Sequence, residues 1–192
     1  MKLFEERILR EGTVAAGGII KVDSFLNHQI DVDFVNECGR EFHRLFADDG
    51  VTRILTVEAS GIGIACLTAQ YFHVPVVFAK KAQTTNLDAD VYSAPVTSYT
   101  HKKEYNVRVA RRYINPGDRV LIIDDFLAMG NAIVGLCDIV GQAGAQVAGV
   151  GICVEKGFQE GGERILSLGV KLRSLAIVNF DADGNIVFEQ RG

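Results

Sequence analysis

The chain is predicted to fold as an α/β protein with a central, mostly parallel sheet flanked by helices. Three observations lead there. Short β-branched runs alternate with helical patterns, the order that builds a parallel sheet. One run, Val120-Leu121-Ile122-Ile123, is apolar at every position, as a strand covered on both faces must be. A hydrophobic content of 48% over 192 residues supplies a substantial core without disulfide or metal staples. No repeat, linker or low-complexity stretch interrupts the pattern, so residues 1–192 are expected to form one domain.

Taken in order, residues 2–11 read as a short amphipathic helix. Gly12 and the Gly17-Gly18 pair break it ahead of an apolar, irregular segment that reaches Asn27. Across residues 31–46, Phe34, Val35, Phe42, Leu45 and Phe46 recur at helical spacing, and Asp48-Asp49-Gly50 supplies the stop. Residues 53–57 form a brief strand, 58–61 a glycine turn and 62–72 a second helix. Residues 74–79 are the next strand, closed by Lys80-Lys81, and the polar stretch 83–90 is expected to be a mobile loop. Residues 91–99 and 105–111 then pair as a hairpin. The apolar strand 120–123 ends in Asp124-Asp125, a helix runs from about 131 to 142 before Gly144, and a strand follows at 147–154. Strands at 172–178 and 186–189, joined by a turn at Asp183-Gly184, finish the chain.

Composition excludes several classes of function. A formal net charge of -4 is the wrong balance for a general nucleic-acid binder, which needs a phosphate-neutralising surface. Cys38, Cys66, Cys137 and Cys153 are far apart, sit among apolar neighbours and form no C-x-x-C pair, so they are expected to be reduced core residues. The opening M-K-L-F-E-E-R-I-L-R-E mixes charged and apolar residues and lacks the apolar stretch of a signal peptide. No apolar run approaches the roughly 18 residues that span a bilayer. A cytoplasmic location is the expectation.

The strongest chemical signal is V-L-I-I-D-D-F-L-A-M-G-N-A, from Val120 to Ala132. Ala128, Gly130 and Ala132 keep bulk away from main-chain N–H groups at the start of a helix, where amides and helix dipole together suit a phosphate monoester. Asp124 and Asp125, just upstream, are placed to accept hydrogen bonds from the two hydroxyls of a ribose or to reach a magnesium ion through water. An isolated Asp-Asp pair more often caps a strand and solvates a turn; the whole string is less ordinary.

This stretch closely resembles the phosphoribosyl pyrophosphate signature of the type I phosphoribosyltransferases. The resemblance implies their fold, with a small base-binding hood from the N-terminal segment (residues 1–30) and the C-terminal segment. It also implies catalytic roles for Asp124 and Asp125, and a phosphate site at Ala128, Met129, Gly130, Asn131 and Ala132. One departure stands out: many members carry Ser or Thr near the positions of Met129 and Ala132, so here main-chain donors and Asn131 would have to compensate. In the family a second loop holds the departing pyrophosphate. Glu58-Ala59-Ser60-Gly61-Ile62-Gly63 stands in the right order for it, implying roles for Ala59, Ser60 and Gly61 and a cis peptide between residues 58 and 61. Taken alone, the same turn is a strand-to-helix connection with Ser60 as N-cap. Lys80 and Lys81 resemble the family's basic residues that reach pyrophosphate, frequently across a subunit boundary, which implies a homodimer. The segment 98–103, with His101, is similar to the family's flexible hood over the reacting centre. Mg2+ is the implied cofactor, reached through substrate and water with no direct protein ligand.

Two further segments, I-K-V-D-S-F-L-N-H-Q-I at residues 20–30 and V-E-K-G-F-Q at residues 154–159, look like those of the bacterial xanthine phosphoribosyltransferases. By position they implicate Ile20 against the purine face, Asn27 as donor and acceptor on a ring edge, Lys156 as donor to an exocyclic oxygen and Phe158 as a stacking partner. An ammonium can only donate, so Lys156 suits a 6-oxopurine and disfavours adenine. The implied reaction converts xanthine and phosphoribosyl pyrophosphate to xanthosine 5'-monophosphate and pyrophosphate, a step of purine salvage. The rivals are an adenine or hypoxanthine-guanine phosphoribosyltransferase and, from another class, a regulatory protein that senses phosphoribosyl pyrophosphate. The last should carry a DNA-binding domain, for which the stretch before residue 53 leaves no room. Glu155-Lys156 as a surface ion pair and Asn27 as a turn former are the plainer alternatives for those residues.

Overall fold

The structure, a computed structural model, describes residues 1–15, 19–82, 90–98 and 103–191. The chain runs α1 (Lys2–Glu11), β1 (Thr13–Ala15), β2 (Ile19–Lys21), α2 (Val32–Phe46), β3 (Arg53–Val57), α3 (Gly61–Phe72), β4 (Val76–Ala82), β5 (Val91–Ser98), β6 (Lys103–Ala110), β7 (Arg119–Leu127), α4 (Asn131–Gln142), β8 (Gln146–Lys156), α5 (Gly161–Ser167), β9 (Leu172–Phe180) and β10 (Ile186–Glu189). An eight-stranded sheet has the order β10-β9-β8-β7-β3-β4-β6-β5. Strands β9, β8, β7, β3 and β4 are parallel, while β10 and the β5–β6 hairpin join the two edges antiparallel. The expected α/β architecture with a mostly parallel sheet is therefore present.

Burial explains the apolar run in β7. Leu121 and Ile123 enter a core with Phe4, Phe25, Phe42 and Ile64, beneath α1, α2 and α3. Val120 and Ile122 point the other way, into a core with Ile133, Leu136 and Ile139 of α4 and Ile165 of α5. Successive side chains of a strand face opposite sides, so a strand covered twice has no polar alternation to show. Helix α2 starts one residue later than its periodicity suggested: Asp31 is the N-cap, and its Oδ1 accepts from Phe34 N at 3.1 Å. Gly50 follows α2 in the left-handed conformation, φ 61°.

Several boundaries differ from expectation. Asp124 and Asp125 do not end their strand, which continues to Leu127 because Phe126 and Leu127 still pair with Val154 and Glu155. Lys80 and Lys81 lie inside β4, where they pair with Arg108 and Val107 of β6. The segment before Asn27 is only partly irregular: β1 and β2 pair antiparallel, and residues 23–27 form a π-helical turn. Residues 161–167 form a short helix that the glycine pair at 161–162 obscured. The cysteines divide: Cys38 and Cys153 are buried, Cys137 is half-buried and Cys66 is exposed, so the expectation of four core cysteines fails at Cys66. Burial pushes the Cys38 thiol up to about 12. No helix among the described residues is long and apolar enough to cross a membrane. Gly17-Gly18, most of the polar stretch 83–90, and Tyr99, Thr100, His101 and Lys102 fall outside the described residues.

Candidate active site

The carboxyl ends of β3, β4 and β7 bring the predicted groups together, as open parallel sheets do at the ends of their strands. Asp124 and Asp125 are both buried although each ends in a carboxyl group. Oδ1 of Asp124 accepts from Asp125 N at 3.0 Å; Oδ1 of Asp125 accepts from Phe126 N at 2.9 Å. Burial, then the neighbouring Asp125 charge, pushes the Asp124 carboxyl well above its usual range, opposed by the Asp125 N–H and by Lys81. Tyr105 of β6 is pushed up as well, by burial and then by the Asp124 charge.

Downstream, the chain leaves β7 through Ala128 and Met129 and enters α4. Gly130, at φ 78°, is the residue before the helix, in a backbone region that side chains with a Cβ avoid. The first intrahelical bond is Val134 N to Gly130 O at 2.9 Å, so the amides of Asn131, Ala132 and Ile133 precede the helical ladder. They open on a cleft lined by Thr97, Tyr105, Phe126, Ala128, Met129 and Asn131. The side chain of Asn131 is turned elsewhere: its Nδ2 donates to Thr97 O at 2.9 Å, so it is not the free phosphate donor that sequence suggested.

The β3–α3 turn sits beside the acids. The Glu58–Ala59 peptide is cis, within the interval expected. Ser60 precedes α3 as N-cap residue but makes no side-chain capping bond. Gly61 admits no side chain, because a Cβ there would lie 2.1 Å from Thr56 Oγ1 and 3.0 Å from Asp124 Oδ1. Oε1 of Glu58 accepts from Lys81 N at 2.6 Å, tying the turn to β4. Strand alternation separates the two lysines. Lys81 shares the side of buried Ala79 and lies 5.6 Å from the Tyr105 ring centre, whereas Lys80 shares the side of exposed Phe78.

The base-pocket candidates are less uniform. Asn27 Nδ2 donates to Asp125 Oδ2 at 2.9 Å, so Asn27 is joined to the site rather than being a turn former. Lys156, the last residue of β8, holds its Nζ 5.7 Å from the Phe126 ring centre. Glu155 does not pair with it at the surface. Glu155 is buried and accepts from both terminal nitrogens of Arg191, at 2.7 and 2.6 Å, and from Ser174 Oγ at 2.6 Å. Ile20 is buried in β2, and Phe158 is exposed beside Phe180, with ring centres 5.2 Å apart. Sequence reasoning passed over Phe126, Tyr105 and Arg164. Phe126 had a signal, an aromatic one residue after the acids; Tyr105 and Arg164 had none, since only tertiary contacts bring them in.

Among the described residues no cluster of three or more His, Cys, Asp or Glu is arranged to hold a metal ion. Two adjacent carboxylates, one destabilised by the other's charge, do suit a magnesium ion bound through water and a ligand's oxygens, because a dication would relieve that repulsion.

Residues 21–183 match the family model described as "Phosphoribosyl transferase domain". A xanthine phosphoribosyltransferase of Lachnoclostridium phytofermentans is 56% identical over 190 residues, covering 98% of each chain. One from Clostridium novyi is 56% identical over 189 residues, covering 98% of this chain and all of that one. Among solved structures, an adenine phosphoribosyltransferase from Thermoanaerobacter pseudethanolicus superposes with a TM-score of 0.72 at 20% identity, over 90% of this chain and 98% of that one. The enzyme from Giardia lamblia, complexed with 9-deazaadenine, gives 0.73 at 19% identity, over 90% and 96%. Those two likenesses show the type I phosphoribosyltransferase fold, and with the family match they settle one point: the chain belongs to the phosphoribosyl transferase family.

Proposed function

We propose that the chain is a xanthine phosphoribosyltransferase of purine salvage, joining xanthine to phosphoribosyl pyrophosphate to give xanthosine 5'-monophosphate and pyrophosphate. The observation that carries the site is the junction in β7 and α4, where two buried carboxylates lie a few residues from helix-start amides that precede the helical ladder. Those amides, together with the main-chain N–H groups of Met129 and Gly130, receive the 5'-phosphate, and Asp124 and Asp125 orient the ribose by its hydroxyls. The turn at Ala59, Ser60 and Gly61 and the ammonium of Lys81 hold the pyrophosphate. A base nitrogen attacks the anomeric carbon, the bond from that carbon to pyrophosphate breaks with inversion, and the base's proton passes to solvent. No protein nucleophile takes part; positioning and electrostatic stabilisation carry the rate. Mg2+ supplies balancing charge for the pyrophosphate when bound.

Base selection follows from donor and acceptor inventories. An ionised Asp125 can only accept, so Asn27 turns its NH2 toward it and leaves Oδ1 to accept from an oxopurine ring N–H. Lys156 donates to the exocyclic oxygen, and Phe126 or Phe158 offers a ring face to the purine. An adenine amino group would leave the ammonium of Lys156 unpaired. Incubation with phosphoribosyl pyrophosphate, magnesium and each of xanthine, guanine, hypoxanthine and adenine tests this by pyrophosphate release. Xanthine should be turned over fastest; activity confined to adenine would refute the pocket assignment.

The protein works as a cytoplasmic homodimer. Support for the dimer comes from a groove lined by Val76, Phe78, Lys80, Val91, Arg108 and Tyr113, in which Phe78 and Tyr113 are exposed. Lys80 on this face would then reach toward a partner's pyrophosphate. Sedimentation should give twice the chain mass, and a monomer at micromolar concentration would refute it.

A further inference from the structure

The phosphate loop is held from behind by α5, a helix outside the signature. Gly161 N donates to Ala128 O at 3.0 Å. Nη1 of Arg164 donates to Met129 O at 3.2 Å and also to Oδ1 of Asn131. In a planar trans peptide the C=O and the following N–H point in opposite directions. Fixing Ala128 O and Met129 O toward α5 therefore aims the amides of Met129 and Gly130 away from it. Asn131 extends the chain of contacts, since its Nδ2 reaches Thr97 O of β5 while Arg164 holds its oxygen. The approach is close enough that a Cβ on Gly161 would lie 2.1 Å from Ala128 O.

This matters because Met129 and Ala132 bring no hydroxyl to the loop, and the Asn131 amide is already engaged. Phosphate affinity must then depend on the direction of main-chain N–H groups. A guanidinium suits that task, because the two N–H bonds of its Nη1 lie in one fixed plane and serve both acceptors at once. We infer that Arg164 is a positioning residue for binding of the 5'-phosphate, acting through the carbonyl of Met129 and the side chain of Asn131. This rests on the phosphate assignment proposed above, and it reaches further by naming a residue of this chain that sets the loop's geometry from outside it.

Calorimetry with ribose 5-phosphate and, separately, with pyrophosphate tests it on the full chain and two variants. Arg164→Met should weaken ribose 5-phosphate about tenfold, the scale of lost charged hydrogen bonds, with pyrophosphate affinity changed less than about twofold. KM for phosphoribosyl pyrophosphate should rise in step while kcat stays within about twofold. Arg164→Lys, which keeps the charge but not the fixed plane of donors, should recover less than half of the loss. If the wild type binds ribose 5-phosphate and Arg164→Met binds it equally well, Arg164 has no such role and the phosphate site stands. Full rescue by lysine would reduce Arg164 to a point charge and overturn the positioning role. If the wild type itself fails to bind ribose 5-phosphate, the site assignment falls with it.

Discussion

The two halves of the proposed site are built in different ways. The phosphate half is a continuous piece of chain, from Asp124 through Ala132, whose ligand groups are mostly main-chain amides. The base half is assembled from side chains that are far apart in sequence, with Asn27 and Asp125 separated by 98 positions. A main-chain site tolerates change in its side chains but not in backbone path; a side-chain site behaves in the opposite way. The fold alone does not set the base: the structures that share it at 19–20% identity are adenine phosphoribosyltransferases, while sequences 56% identical to this chain are xanthine phosphoribosyltransferases.

The sharpest way to break this comparison is at Asp125, which belongs to both halves. Asp125→Asn removes the acceptor for Asn27 and for a ribose hydroxyl together, and turnover should fall about a hundredfold with circular dichroism unchanged. Near-normal turnover would deny it that double role. Next in size, Lys156→Met should lower kcat/KM for xanthine about thirtyfold while adenine loses nothing, which steady-state kinetics on both bases would read.

Asp124→Asn should separate stability from activity. Burial and the Asp125 charge hold the Asp124 carboxyl above its ordinary value in the folded chain, so ionised Asp124 opposes folding. Stability from this group is fully present below the unfolded value of 3.8 and is lost as pH rises through the raised folded value. The neutral variant should therefore be more stable than wild type at pH 7, by about 1 kcal/mol on the scale of such substitutions, in urea unfolding. Its advantage should shrink as pH is lowered toward 3.8. A variant less stable than wild type at pH 7 would show that Asp124 is stabilised by its surroundings. The smallest effect is expected at Met129→Ala. If main-chain amides make the phosphate site, KM for phosphoribosyl pyrophosphate should change less than about twofold; a tenfold rise would assign the site to side chains.

The same contrast governs what could be read from the sequence. The order of strands and helices was legible because hydrophobic period and glycine breaks are local properties, as in the twice-buried run of β7 and the periodic apolar face of α2. The strand, acid pair and helix start of residues 120–132 were legible because they are contiguous. What escaped was set by tertiary contact. The ion pair of Glu155 with Arg191 joins a buried strand to the end of the chain, and nothing near Glu155 in sequence announces it. Helix α5 was hidden because Gly161 reads as a loop residue, whereas the structure requires glycine there for its approach to Ala128 O. The acids looked like a strand terminus because charge usually ends a buried run; here pairing with β8 carries the strand two residues past them.

With xanthine and ribose bound as proposed, a single 2.9 Å contact, Asn27 Nδ2 to Asp125 Oδ2, would span the seam between purine and sugar. Whatever occupies one side alters the energy of that bridge, and linkage requires the other occupant to feel the same factor in its own affinity. Substrates that never touch until they react would already be in thermodynamic communication through one amide.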